Sequence, residues 1–101
     1  DNKCENYYYK IAYHEGDFSL EKMVSCIDRN LKNNGTLYFL FQTSRLNEVL
    51  TALNKKKISV KEMQFVYDEN KEYSNVFMIK AVKHAKEGMN VKKPIIIKRS
   101  K

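Results

Sequence analysis

Glycine and proline are scarce, three and one among 101 residues, which excludes collagen-like or linker-like character. Cysteine is too sparse for a zinc site: Cys4 and Cys26 stand alone and far apart, whereas zinc ligands come in pairs at short spacing. Reduced thiols in a cytoplasmic protein are the expectation. His14 and His84 are separated by most of the chain, and neither has a Cys or His neighbour. Each reads as structural or solvated, and neither a metal site nor a catalytic triad can be argued. No stretch approaches the roughly 18 apolar residues of a membrane-spanning helix, so no membrane partner is expected. The first residue is Asp1, and the sequence reads as a cut piece of a longer polypeptide.

What is present is apolar content and segregated charge. Hydrophobic residues make up 43% of the chain, enough to bury one core at the size of a single domain. Residues 1–50 carry 6 basic and 7 acidic side chains, and residues 51–101 carry 13 and 5. Residues 80–101 hold 8 basic residues against Glu87 alone, so the net +7 resides in the last fifth of the chain. Segregation of this kind suggests a polyanionic partner, nucleic acid first and a membrane surface second; a solubilising lysine tail is the plain alternative.

Residues 1–17 are polar and aromatic without a period of 2 or 3.6 and read as a loop, with one helical turn at most. Ser19 supplies an N-cap hydroxyl, and Leu20, Met23, Val24, Ile27 and Leu31 form one apolar helical stripe, with Cys26 on that face. Asn33-Asn34-Gly35 is the expected end of this helix, since both residue types tolerate the left-handed conformation. The continuous apolar run 36–42 reads as a strand covered on both faces. Thr43 or Ser44 caps a second helix with Leu46, Val49, Leu50 and Leu53 on one face, closed by Lys55-Lys56-Lys57 where the helix dipole favours cations. Residues 60–67 read as a strand with Met63, Phe65 and Tyr67 on one face, 68–72 as a polar turn, and 74–83 as a third strand, apolar from Val76 to Val82 except for Lys80. The first strand-helix-strand unit suits a parallel crossover, and the last two strands are joined too tightly for anything but antiparallel pairing. The expected architecture is α/β: helix-strand-helix-strand-strand with a three-stranded mixed sheet over 19–83, then a basic tail over 84–101.

This succession resembles the C-terminal half of a class I S-adenosylmethionine-dependent methyltransferase, a Rossmann-like fold whose sheet ends in an antiparallel strand. Lys10-Ile11-Ala12-Tyr13-His14-Glu15 resembles the segment Lys-Ile-Ala-Arg-His-Glu that follows the catalytic loop in the bacterial valine-tRNA adenine-N6 methyltransferase (methyltransferase small-domain) family. Gly35 with Leu37 and Tyr38, Arg45-Leu46, Val66, Ala81-Val82-Lys83, Gly88 and Pro94-Ile95-Ile96-Ile97 match in order, so the resemblance covers nearly all of the chain. The family's glycine-rich cofactor loop and its Asn-Pro-Pro-aromatic catalytic motif are absent. Asn6-Tyr7-Tyr8-Tyr9 has the Asn and the aromatic but neither proline, and the resemblance puts the catalytic loop just before Asp1.

The resemblance therefore implies the substrate-side half of an RNA adenine-N6 methyltransferase, tRNA being the expected acceptor, with S-adenosylmethionine bound by the parent enzyme and not by this piece alone. Lys83, His84, Lys86, Lys92, Lys93, Lys98 and Arg99 are the candidate phosphate contacts, and Lys10 and His14 the candidates near the target base. Tyr7, Tyr8 and Tyr9 either stack on bases or pack the loop onto the helices; Lys55 to Lys57 read as a solvated helix end. The expected partners are RNA and the N-terminal half of the same enzyme. Without that half, strand 36–42 would present an unpaired apolar edge and favour an edge-paired or swapped homodimer. The alternative is a free-standing, non-catalytic RNA-binding α/β module, which would bind RNA tightly alone; addition of an N-terminal half creates cofactor binding only on the first reading.

Overall fold

The computed structural model describes residues 3–10 and 19–98. Their order is β1 (Cys4–Lys10), α1 (Leu20–Asn30), β2 (Leu31–Gln42), a 3-10 turn (Thr43–Arg45), α2 (Leu46–Lys55), β3 (Ile58–Asp68), β4 (Val76–Lys83), β5 (Asn90–Val91) and β6 (Ile95–Ile97). They form one mixed sheet in the order β1-β2-β4-β3-β5, with β6 also on β3. β1 runs parallel to β2, β4 is antiparallel to both β2 and β3, and β5 and β6 run parallel to β3. Hence β2 and β3 are parallel to one another, and the last long strand is inserted between them.

Cross-strand register sorts the sheet into two faces, because side chains alternate along a strand and paired residues share a side. One face holds the rows Tyr7-Leu37-Ala81-Val60, Tyr9-Phe39-Ile79-Met63 and Phe41-Phe77-Phe65. Leu20, Val24 and Ile27 of α1 and Val49, Ala52 and Leu53 of α2 join these residues in one buried cluster. The opposite face holds the row Tyr8-Tyr38-Lys80-Glu62, beside Leu40, Met78 and Gln64, and neither helix covers it.

α1 begins as expected, the Ser19 hydroxyl accepting from the Lys22 amide at 3.2 Å. It stops at Asn30 rather than at Gly35. Asn33-Asn34-Gly35 lies inside β2, where the register slips: Cys4 pairs with Leu31 but Asn6 with Thr36. Asn34 does take the left-handed conformation (φ 65°), but to form a bulge rather than a helix end. Gly35 is required there, since a Cβ would lie 2.8 Å from the Lys32 carbonyl oxygen and 3.1 Å from that of Glu5. Gly35→Ala should therefore destabilise the chain by about 1–3 kcal/mol through overpacking against backbone, read as a lower midpoint in urea.

Six further expectations need correction. The sheet has six strands among the described residues, not three. Residues 4–10 are a strand and not a loop, because Tyr8 and Tyr9 stack on Tyr38 and Phe39 of β2 at 4.9 and 5.4 Å; aromatic side chains favour the pleated surface. As a result β2 is paired on both sides and is no edge. The basic tail is not free: β5 and β6 follow β3, and the Lys92 amide donates to the Met63 carbonyl at 2.8 Å. Neither Thr43 nor Ser44 caps α2, whose N-cap is Arg45; the Thr43 hydroxyl lies 3.0 Å from that of Ser74 instead. Cys26 is exposed, not buried with the α1 stripe. Among the described residues no helix is long and apolar enough to cross a membrane.

Candidate functional site

Two regions collect the chemistry of this chain. The first is the end of the sheet where the parallel strands β1 and β2 finish, at Lys10 and Gln42. In α/β sheets ligands bind beyond the carboxyl ends of the strands. A cleft of about 370 Å³ opens here between the first turn of α1 and α2, lined by Ser19, Glu21, Arg45, Asn47, Glu48 and Thr51 among others. Arg45 reaches Glu48 at 2.6 Å and lies over the Phe41 ring, 5.9 Å from its centroid. Lys55 donates to Glu21 at 2.7 Å, and that hydrogen bond, with the charge behind it, holds the Glu21 carboxyl below its usual range. On β1, burial and then the neighbouring Tyr7 push the Tyr9 phenol above its ordinary value.

The second region is the outer margin of β3. Residues 84–98 run along it in order: Ser59 donates to the Ala85 carbonyl at 2.9 Å, Lys61 to that of Lys86 at 2.8 Å and Gln64 to that of Lys93 at 2.9 Å. Ile95, Ile96 and Ile97 then pair with Val66, Tyr67 and Asp68. From Ser59 to Asp68 this margin is roughly 30 Å long at the usual rise per strand residue. It displays Lys86, Lys92, Lys93 and Lys98, all exposed, with Glu87 in the same stretch. His84 is exposed at its start, its backbone left-handed (φ 65°) and its amide donating to the Lys57 carbonyl at 2.7 Å. The sequence therefore identified lysines that the fold arranges in a line. What it missed is the arrangement, and two basic residues near it: Lys61 on β3 and Lys80, which lies on the bare face. Lys80 interrupts an otherwise apolar strand, and that interruption was the available signal.

Lys83 does not belong with them. Its side chain is buried, 7% of the residue remaining exposed, and its ammonium donates to the carbonyls of Asp28 at 2.8 Å and Leu31 at 3.0 Å. The Asp28 carboxylate lies 3.1 Å away. Lys83 thus closes the carboxyl end of α1, where backbone carbonyls lack helical partners, and its charge faces the interior rather than a phosphate. Lys10 is the last residue of β1. His14 and Arg99 lie outside the described residues.

Among the described residues no group of three His, Cys, Asp or Glu could hold a metal ion. The described glycines also do not fit a nucleoside cofactor, which needs a glycine-rich turn close to a strand end. Gly35 is packed against backbone within a bulge, and Gly88 has nothing within 4 Å of its Cβ position.

No protein-family model matches the sequence, and no curated protein matches it. Solved structures do. A predicted O-methyltransferase from Agrobacterium tumefaciens superposes with a TM-score of 0.74 at 13% identity, over 95% of this chain and 44% of that one. The complex of M1.HpyAVI with SAM superposes with a TM-score of 0.61 at 15% identity, over 81% of this chain and 45% of that one. The likeness is one of fold: the mixed sheet and helices described above superpose on part of each structure. The chain spans less than half the length of either structure.

Proposed function

We propose that this chain is the substrate-side half of an S-adenosylmethionine-dependent methyltransferase that modifies the N6 amino group of an adenine in RNA, with tRNA the acceptor. The observation that carries the reading is the strand order β1-β2-β4-β3, with one antiparallel strand inserted between parallel ones, in a chain that superposes on structures that include a SAM complex. The segment from Lys10 to Glu15 and the basic margin of β3 support the narrower acceptor. In this reading the described residues neither hold the cofactor nor transfer the methyl group. Their part is to bind and align the RNA, with Lys86, Lys92, Lys93 and Lys98 gripping phosphates. Lys10 lies near the target base.

The test is methyl transfer from labelled S-adenosylmethionine to transcribed tRNA by the polypeptide encoded in the whole reading frame, with the product identified by mass spectrometry. N6-methyladenosine is the expected product; labelling of DNA or protein in its place rejects the acceptor. The basic margin makes a second prediction. Lys92→Ala with Lys93→Ala should weaken tRNA binding roughly tenfold at low salt and reduce the slope of log affinity against log salt by about 1–2, as expected for two lost phosphate contacts. An unchanged slope would remove the margin from the RNA site.

A further inference from the structure

The face of the sheet that α1 and α2 leave bare carries its side chains in a definite order. Register places Tyr8, Tyr38, Lys80, Glu62 and Asn90 in one row across β1, β2, β4, β3 and β5, a span of about 19 Å at the usual strand spacing. The first half of the row is aromatic. The Tyr8 and Tyr38 rings stack at 4.9 Å and within 10° of parallel, and Tyr8 is 73% exposed. Leu40 and Met78 join them around a depression of about 320 Å³. The second half is polar. Lys80, Glu62, Gln64 and Lys92 line an adjoining depression of about 180 Å³, and Tyr38 and Met78 belong to both. Lys80 and Glu62 stand opposite one another in register, yet among the described residues neither side chain has an ion-pair or hydrogen-bond partner. The Gln64 amide nitrogen is held by the Lys93 carbonyl at 2.9 Å, so its oxygen is the group left to accept.

We propose that this face is a platform for single-stranded nucleic acid. An unpaired base stacks on the ring pair of Tyr8 and Tyr38, the phosphates beside it meet the Lys80 and Lys92 ammoniums, and a neighbouring base turns its edge to Glu62 and Gln64. The proposal deepens the RNA reading above and rests on it for the partner, but not on methyl transfer. Three features of the face select this occupant. Only an unpaired strand can offer base faces to aromatic side chains, since a duplex keeps them stacked inside. The length of the row suits the two or three bases that an open sheet typically holds. A second sheet or an apolar helix laid on this face would have to bury Lys80, Glu62 and Asn90 away from water, whereas a nucleotide has acceptors for the ammoniums and donors for the carboxylate. Lys92 also joins the platform to the β3 margin: its side chain lines the polar depression, and Lys93 follows it on the margin. A strand crossing the sheet from Tyr8 therefore runs on into the line of Lys86, Lys93 and Lys98.

Fluorescence anisotropy of labelled dodecauridylate, and of an RNA duplex of equal charge, tests this on the 101-residue chain. The single strand should bind more tightly than the duplex. Tyr8→Ala should weaken single-strand binding at least roughly tenfold while leaving its salt slope unchanged. Lys80→Gln should instead reduce that slope by about 0.7, the share of one phosphate contact on a single strand. Tyr73→Ala, 77% exposed between β3 and β4, should change neither. Photocrosslinking of the wild-type chain to an oligonucleotide carrying iodouridine needs no variant to fold, and its adducts should map to Tyr8 or Tyr38. Equal affinity for the duplex, with adducts confined to residues 84–98, would overturn the platform and keep the margin as the RNA site. Binding of neither probe would reject nucleic acid as the partner and the RNA acceptor with it. Loss of Tyr8 reactivity towards tetranitromethane on raising the protein concentration, without nucleic acid, would assign the face to a second copy. Adducts at Tyr8, in a protein whose whole reading frame transfers no methyl group, would retain the platform and reject the methyltransferase reading.

Discussion

Phe77→Ala should cost about 3–5 kcal/mol of folding stability, the usual range for deleting a buried aromatic side chain and leaving a cavity. Phe77 has no exposed surface, and its position explains the size of the effect. It lies on β4, which is paired on both sides, with Phe41 of β2 and Phe65 of β3 as its register partners. The row Phe41-Phe77-Phe65 therefore crosses three strands and faces the helices, with Phe41 stacked on Phe39 at 5.2 Å. Removal of the middle ring opens a gap between Phe41 and Phe65, and paired strands cannot close it by moving together. For a domain whose total stability is on the order of 5–15 kcal/mol, the variant would sit near its unfolding threshold. Urea unfolding followed by circular dichroism measures this directly. A loss below about 1 kcal/mol would mean that Phe77 is not in the centre of the core. Phe65→Ala, at the half-buried end of the row, should cost less than Phe77→Ala.

Local signals in the sequence located most of this fold, and topology accounts for what they missed. The stripe from Leu20 to Ile27 and the Ser19 hydroxyl define α1 because both are properties of neighbouring residues. The antiparallel pairing of β3 with β4 was legible for a similar reason: residues 69–75 can do little but turn the chain back, with Asp68 accepting from the Asn70 amide at 2.9 Å. β1 was not legible. Asn6-Tyr7-Tyr8-Tyr9 has no clear alternation, and it becomes a strand only because Tyr38 and Phe39, some thirty residues later, offer rings to stack on. The tail was misread for the same reason. Ile95, Ile96 and Ile97 are exposed, so burial left no pattern, and their order comes from the backbone of β3. Side-chain type in the basic segment cannot say which lysine faces inward. Lys83 and Lys86 look alike in sequence; one turn of backbone at His84 separates a buried ammonium from an exposed one.

That difference gives Lys83 a large and specific effect. Lys83→Met retains most of the aliphatic stem but removes the ammonium that serves the carbonyls of Asp28 and Leu31 and faces the Asp28 carboxylate. Breaking a buried pair by deleting one partner typically costs about 3–5 kcal/mol, because the remaining group stays desolvated. Here the Asp28 side chain retains 25% of its exposure, so water can serve part of it, and about 2–3 kcal/mol is the expected loss. With a urea slope of roughly 1–3 kcal/mol per molar, the midpoint should fall by about 1 M or more. Two comparisons make the cause specific. In an Asp28→Asn background Lys83→Met should cost less, since the carboxylate it would strand is gone, and the difference measures the coupling. Under native conditions Lys83→Met should leave the salt dependence of tRNA binding unchanged, unlike Lys92→Ala with Lys93→Ala. The reverse pattern, with stability retained and a shallower salt slope, would mean that the Lys83 ammonium reaches solvent and grips phosphate. The carboxyl end of α1 would then need another partner for its carbonyls.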